Sequence, residues 1–336
     1  MTDVGAATAA DAAAGGVRLR PFTTDDWPAA IEIANRIYPD APRSLQNMLH
    51  WDSRWEADKY FRERLVAEDA EGRMLGTAML RHMEWQFDPD TYAFGAEVDP
   101  AHQRRGIGSM LYDALMGTAH ARGAKLVRSE AKEALAESLA FLAHRGFEEI
   151  QRGWESRLDV ERFDFDAFAT AEPRALGQGL AFTTLAEEGT GEEVLRAIYA
   201  LDVECGHDEP SFSPVTPPTF ERWRENQLTA PDLLPEAFFL MKDDHRYVGL
   251  SVLEKNLSLP KVLQQGFTAV ARTHRGRGVA MALKVRGVRY AREHGYEEIR
   301  THNNTRNRPM LRINEAMGFV KQPAWVEFGK RMEDGA

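Results

Sequence analysis

Cysteine is almost absent from this chain of 336 residues. The one thiol, Cys205, excludes an internal disulfide framework and a cysteine-built zinc site, and it favours a reducing, cytoplasmic setting. Long apolar runs are missing as well, since no stretch approaches the ~20 residues that a membrane-spanning helix needs. There is no surplus of basic charge either. The net charge of −10 opposes binding to nucleic acid or to anionic membranes. The ten histidines show no ligand spacing such as His-Glu-x-x-His, so no metal site is expected. The start, Met1 to Gly16, is rich in Ala, Gly and Thr but lacks a basic segment followed by an apolar one. It reads as a disordered tail rather than a secretion signal.

What is present is ordinary globular material, 43% hydrophobic and 28% charged, in a length that suits two domains at ~150 residues each. A search for self-similarity decides the architecture. Gln103-Arg-Arg-Gly-Ile-Gly108 has its counterpart 172 positions on (275 − 103) in Arg275-Gly-Arg-Gly-Val-Ala280. The same offset joins Gly123 to Gly295 and the Gly-Phe pair at 146–147 to that at 318–319. In each copy, strands over Arg64–Glu68 and Ala237–Met241, then from Leu75 or Val248, then Tyr92–Val98 and Gly266–Val270, lead into the glycine loop. A helix follows, its apolar face marked by Ile107, Leu111 and Leu115 in one copy and Leu283, Val288 and Ala291 in the other. The pattern predicts an α/β fold with a mixed sheet, present twice, in domains 17–160 and 178–333. The stretch 161–177, with Pro173 and Gly177, reads as the linker.

A strand, a basic glycine loop and a helix N-terminus together suit a pyrophosphate. The first helical N–H groups lack intrahelical partners, and the helix dipole adds partial positive charge there. Gly106 and Gly278 let backbone approach an oxygen closely. Gln103, Arg104, Arg105, Arg275 and Arg277 add donors, with Gly108, Ser109, Gly276 and Ala280 in the same turns. No Gly-Lys-Ser/Thr ending is present, and the third glycine of the dinucleotide fingerprint is replaced by Leu111 or Met281.

The pattern Gln/Arg-x-x-Gly-x-Gly/Ala between strand and helix, with the later Gly-Phe, resembles the coenzyme A loop of the GNAT superfamily of N-acetyltransferases. The resemblance covers both halves, from about Val17 to Lys330. The second half, with Thr301-x-Asn-x-x-x-Asn307 and Asn314-Glu-Ala-Met-Gly-Phe319, is similar to tandem GNAT proteins of the mycothiol-synthase type. The resemblance implies two acyl-CoA-binding domains, acetyl-CoA as co-substrate, and direct attack of a primary amine on the thioester. It assigns the oxyanion donor to the backbone N–H of Val98 or Val270. The acceptor would be a small-molecule or peptide amine, and nothing in the sequence specifies an oligomeric state.

Two functional positions depart from the superfamily pattern. The general-acid tyrosine, four residues before the helix-ending glycine, is Leu142 in one copy and Asn314 in the other. The glutamate base, eleven residues before the loop, is Tyr92 or Gln264. Position alone offers Glu254 and His302 as substitutes in the second copy and Glu130, in register with His302, in the first. For each, a solvated strand-end side chain is the competing reading. Asn303 and Asn307 suit either capping or a bond to the pantetheine arm. The stretch Cys205 to Pro235, holding Asp208, Glu209, Phe212, Phe220 and Trp223, suits part of an acceptor pocket. Trp51, Trp55 and Trp85 read as core, and Cys205 as an inert small residue.

Three readings follow: a tandem N-acetyltransferase, one catalytic half with a structural or regulatory acetyl-CoA binder, or a non-catalytic acyl-CoA sensor. Titrating acetyl-CoA calorimetrically should give saturable heat. Silence at millimolar cofactor would overturn all three.

Overall fold

The computed structural model describes residues 16–332, so the tail expected over 1–16 lies almost wholly outside the described residues. In chain order the elements are β1 (Arg18–Pro21), α1 (Trp27–Ile37), α2 (Leu45–Asp52), β2 (Arg62–Glu68), β3 (Met74–Arg81) and β4 (Thr91–Val98). Then come α3 (Ile107–Ala121), β5 (Leu126–Lys132), α4 (Ala136–Ala143), β6 (Glu148–Asp159), α5 (Ala171–Leu176), β7 (Leu180–Thr184) and α6 (Leu185–Glu188). These are followed by α7 (Glu192–Gly206), α8 (Phe220–Thr229), β8 (Phe238–Asp243), β9 (Arg246–Lys255) and β10 (Val262–Val270). The chain closes with α9 (Val279–Glu293), β11 (Glu298–Asn304), α10 (Arg308–Met317), β12 (Val320–Lys321) and β13 (Trp325–Arg331).

These elements form two compact units. Among the described residues, unit 1 holds those up to Glu130, residues 142–148 and those from Phe328. Its strands run in the order β1-β2-β3-β4-β5, with the end of β13 next to β5. Met332 N–H donates to Lys125 O at 2.9 Å, continuing that attachment. Unit 2 holds residues 131–141 and 149–327. Its strand order is β6-β11-β10-β9-β8-β7, and β6 pairs antiparallel with β11 from Glu298↔Asp159 to Asn304↔Gly153. Each unit is therefore closed by the strand that ends the other copy in sequence. The stretch 161–177 belongs to unit 2 and holds α5, with Phe163 and Ala175 buried. Ion pairs from Arg286 and Arg289 of α9 to Glu172 fasten it.

The alternation of side chains along strands explains the layers. In unit 1 Ala78 and Leu80 of β3, with Tyr92 and Phe94 of β4, are buried on the face that meets Leu111 and Leu115 of α3. In unit 2 Gly249 and Leu253 of β9 face Val279, Leu283 and Gly287 of α9. Leu250 and Val252 point the other way, toward the side covered by α7. Trp51 and Trp85, expected in the core, are 41% and 46% exposed, because α2 and the turn after β3 leave them at the rim. Phe220 and Trp223 run the other way, being core residues of unit 2 at 6% and 5% exposure.

Helix α9 can lie close on β9 only because Gly249 has no side chain. A Cβ there would meet Val279 Cγ1 at 2.7 Å and Leu283 Cδ1 at 3.1 Å. Gly249→Ala should therefore destabilise the protein by about 1–3 kcal/mol, read as a lowered urea midpoint at unchanged slope.

Candidate functional site

In both units the parallel strand pair before the loop stops pairing early. Strands β4 and β5 pair through Thr91↔Leu126, Tyr92↔Val127 and Ala93↔Arg128, after which β4 continues to Val98 paired with β3. Strands β10 and β11 pair through Gln265↔Thr301, and β10 continues to Val270 paired with β9 across a bulge at 265–268. Asp99 N–H donates to Leu75 O and Ala271 N–H to Val248 O, each at 2.9 Å. Because successive N–H groups of an extended strand alternate in direction, the N–H groups of Val98 and Val270 point the opposite way, into the gap. So do those of Ala96 and Thr268, two residues earlier, which sequence reasoning passed over.

The loop beyond each gap is held by a side chain returning to the strand. Gln103 Nε2 donates to Val98 O and Arg275 Nε donates to Val270 O, both at 3.0 Å. Two left-handed residues then turn the chain into the helix. In unit 2 these are Gly276 (φ 74) and Gly278 (φ 86); in unit 1 they are Arg104 (φ 63) and Gly106 (φ 86). Alternating handedness of this kind turns successive N–H groups toward one point, an anion-binding concavity in front of the helix dipole.

The loop side chains differ between units. Arg104 and Arg105 are exposed, with no ion-pair partner among the described residues. Arg275 is spent on Asp208 (2.6 Å), which also takes Arg272 (2.6 Å), so the Asp208 carboxyl lies far below its usual range. Asp208 thus braces the loop. Arg277 Nε donates to Gln178 Oε1 at 2.8 Å, and Gln178 Nε2 donates back to Arg277 O at 3.1 Å. From α5, exposed Arg174 comes within 3.9 Å of where a Cβ on Gly278 would stand. The linker reading hid this arginine beside the loop. Gly108 and Ser109 form the first turn of α3, where Ser109 Oγ accepts from Arg145 Nη2 at 2.7 Å, and Ala280 lies in the first turn of α9.

Around the gap of unit 2, Gln264 is directly opposite Glu254 on β9. The two share a face, and the Glu254 carboxylate lies over Gly266, whose added Cβ would be 3.0 Å from Oε1. Glu254 therefore reaches the point where β10 leaves β11. Loss of water, with the charge of Asp232 adding to it, pushes its carboxyl up to about 7. On the same face α7 carries Asp202, raised to about 6 by burial although Trp223 Nε1 donates to it at 2.6 Å. Glu209 is raised by desolvation and by Asp202, although much of the residue is open to water.

His302 stands over Gly153 of β6, and desolvation on that side lowers its pKa although much of the residue is open to water. Its cross-strand partner is Glu155. Glu130 is exposed on β5, and its charge acts on Tyr38 and Arg81. Asn307 caps α10, accepting from Met310 N–H at 3.3 Å, and Asn303 Oδ1 accepts from Asn314 Nδ2 at 2.6 Å. Cys205 is buried and its thiol is pushed up to about 11.

The chain matches the acetyltransferase (GNAT) family over residues 25–147 and again over 195–319. It belongs to that family. The family's signature is thus present in both copies, and the protein is an N-acetyltransferase. Mycothiol acetyltransferase of Thermobifida fusca (strain YX) is 25% identical over 255 residues, which cover 70% of this chain and 74% of that protein. Two solved structures share the whole fold. A tandem GNAT protein from the clavulanic acid biosynthesis pathway superposes with a TM-score of 0.73 at 19% identity, covering 95% of this chain and 99% of that one. A GCN5-related N-acetyltransferase from Sphaerobacter thermophilus gives 0.69 at 18%, covering 96% and 98%. No helix of the described residues is long and apolar enough to cross a membrane.

Members of the family use acetyl-CoA, and the residues present fit it: two left-handed turns before a helix N-terminus, then a strand edge with unpaired N–H groups. The left-handed residue separates the two loops energetically. A side chain in that conformation costs roughly 1–2 kcal/mol. Arg104→Gly should raise the unfolding midpoint and Gly276→Ala should lower it, with thermal melts of both variants as the check.

Proposed function

We propose that the protein transfers an acetyl group from acetyl-CoA to a primary amine, with the working site in unit 2 and the two copies, 17–160 and 178–333, as two acyl-CoA-binding domains. The observation that carries this reading is Glu254: a carboxylate across from the vacant base position, lying over the gap, with its pKa near neutrality. A base with a pKa near the working pH is the most effective at taking a proton from an ammonium.

Acetyl-CoA supplies the acetyl thioester. The loop N–H groups of 276–279, aided by Arg174 and Arg277, would hold its phosphates. Glu254 takes the proton of the incoming amine on the α7 side of the sheet. The Val270 N–H, fixed in direction by the β9 ladder, meets the charge that develops on the acetyl oxygen. Asp202, Glu209 and Asp232 make that side favourable for a cationic acceptor. His302 and Glu130 have a lesser claim, since neither lies across from the vacant base position. Asn303 and Asn307 hold the strand-to-helix turn beside the gap. The likeness to a mycothiol acetyltransferase puts an amino-sugar thiol first in an acceptor panel.

A second reading has support from the loops. Arg104 and Arg105 are unspent, so unit 1 keeps the better equipped phosphate loop. It would then bind acetyl-CoA in a structural or regulatory role.

The raised pKa of Glu254 fixes the sign of the pH dependence. The ionised carboxylate is the base, so kcat/KM should climb as pH rises through about 7. Glu254→Gln should lower it by about 10²–10⁴-fold and remove that limb. An unchanged profile in the variant would take Glu254 out of the mechanism.

A further inference from the structure

Lys284 is the least explicable residue in unit 2. It lies in the second turn of α9 and is 2% exposed. An ammonium has three protons to donate, and Lys284 Nζ gives one to Gln265 Oε1 at 3.3 Å. Its other near neighbour is the ring of Phe319, 5.0 Å away. Burial alone pushes its pKa down to about 7, with no neighbouring charge contributing. A lone buried cation costs several kcal/mol unless something compensates it. An apolar side chain of the same length would relieve that cost.

Its position is informative. Gln265, its acceptor, is the last residue of β10 still paired with β11. From Gln265 a buried polar set continues along the α9 face, with Gln265 Nε2 donating to Ser251 Oγ and Ser251 Oγ in turn 3.2 Å from Thr268 Oγ1. Across the gap stands Asn314, 2% exposed, where the superfamily resemblance puts the acid tyrosine. Its Nδ2 is spent on Asn303, and its Oδ1 has no partner among the described residues. Phe319 joins the two sites, its N–H donating to Asn314 O at 3.0 Å while its ring lies under Lys284. The corresponding residue of unit 1 is Tyr112, buried likewise, whose hydroxyl accepts from Lys330 Nζ at 2.9 Å. Both copies thus bury a group with a transferable proton at this place.

We propose that Lys284 is the proton donor to the departing sulfur of coenzyme A in unit 2, standing in for the acid that Asn314 cannot be. This rests on the transferase reading given above. As the carbon–sulfur bond breaks, its electron pair stays on sulfur and a proton passes from Nζ to it, leaving a thiol and a neutral amine. The acceptor nitrogen gives its protons to Glu254 and thence to solvent, and Lys284 regains its own from solvent. One cycle converts thioester and ammonium to amide, thiol and one free proton. The transfer runs downhill, because an ordinary thiol holds its proton with a pKa of ~8.5. Glu254 and Lys284 lie on opposite faces of the sheet, since their partners Gln264 and Gln265 are consecutive strand residues. Amine would enter on one side and thiol form on the other.

Coenzyme A and desulfo-coenzyme A differ in the sulfur atom, so they isolate this contact. The ε-carbon signal of Lys284 would be followed by NMR in the full chain, assigned by its loss in Lys284→Met. The expected result is a shift with coenzyme A that the desulfo compound does not reproduce. Alongside it, Lys284→Met should lose about 10²–10⁴-fold in acetyl transfer while melting no lower than the parent. Equal shifts with both ligands, or full transfer by the variant, would overturn the role of Lys284 and leave the transferase reading standing. Failure of both ligands to bind unit 2 by calorimetry would overturn the two together.

Discussion

A strand pair that ceases to hydrogen-bond while both strands run on leaves polar backbone groups that need other partners. That condition holds at Ala93↔Arg128 and again at Gln265↔Thr301, and much of each unit is arranged around it. The antiparallel neighbours β3 and β9 stay paired with β4 and β10 beyond the break, which fixes where Val98 and Val270 aim their N–H groups. Gln103 and Arg275 tie the following loop to the same two residues. The left-handed turns then bring helix N–H groups to bear next to the strand edge. A ligand that runs from an anionic end to an amide-bearing arm would satisfy these groups in sequence, and acetyl-CoA, which this family uses, is built that way.

Unit 2 adds titratable groups whose pKa values desolvation has moved. Glu254 is raised and Lys284 lowered, both toward neutrality, by the same desolvation acting on opposite charges. Neither shift comes from a salt bridge, which would have pushed each the other way. Where loop charges are paired, as with Asp208 between Arg272 and Arg275, they are locked into one ionisation state and serve as struts. The unit separates groups that hold position from groups that can exchange a proton.

The repeat, the loops and the alternation along strands were legible in the sequence because each is a local pattern. The strand at Tyr92–Val98 and the caps at Gly123 and Gly295 lie where that pattern put them, with both glycines at positive φ, while the strand read over Gly266–Val270 begins earlier, at Val262. What depended on partners distant in sequence was not legible. Lys284 interrupts an otherwise apolar helix face and can be recognised as buried only once Gln265 and Phe319 are placed beside it. Arg174 sat in a stretch whose Pro and Gly read as linker, although α5 is pinned by Glu172 to α9. Trp51 and Trp85 read as core by residue type, yet a rim position is set by which face the sheet presents. Glu254 was visible as a strand-end carboxylate, while its place opposite Gln264 needed the β9–β10 register.

The exchange of closing strands has a consequence for how the protein is made. Unit 1 lacks residues 328–331, the strand that lies beside β5, until all of unit 2 has been synthesised. An N-terminal domain would ordinarily close as soon as it left the ribosome. Here β5 must wait with an unpaired edge, the surface most prone to capture another strand. Unit 2 has no such delay, because β6 is already in hand when β11 emerges. The strand that completes the first unit is therefore the last one to be made, and until then the edge of β5 is exposed to pairing with other strands.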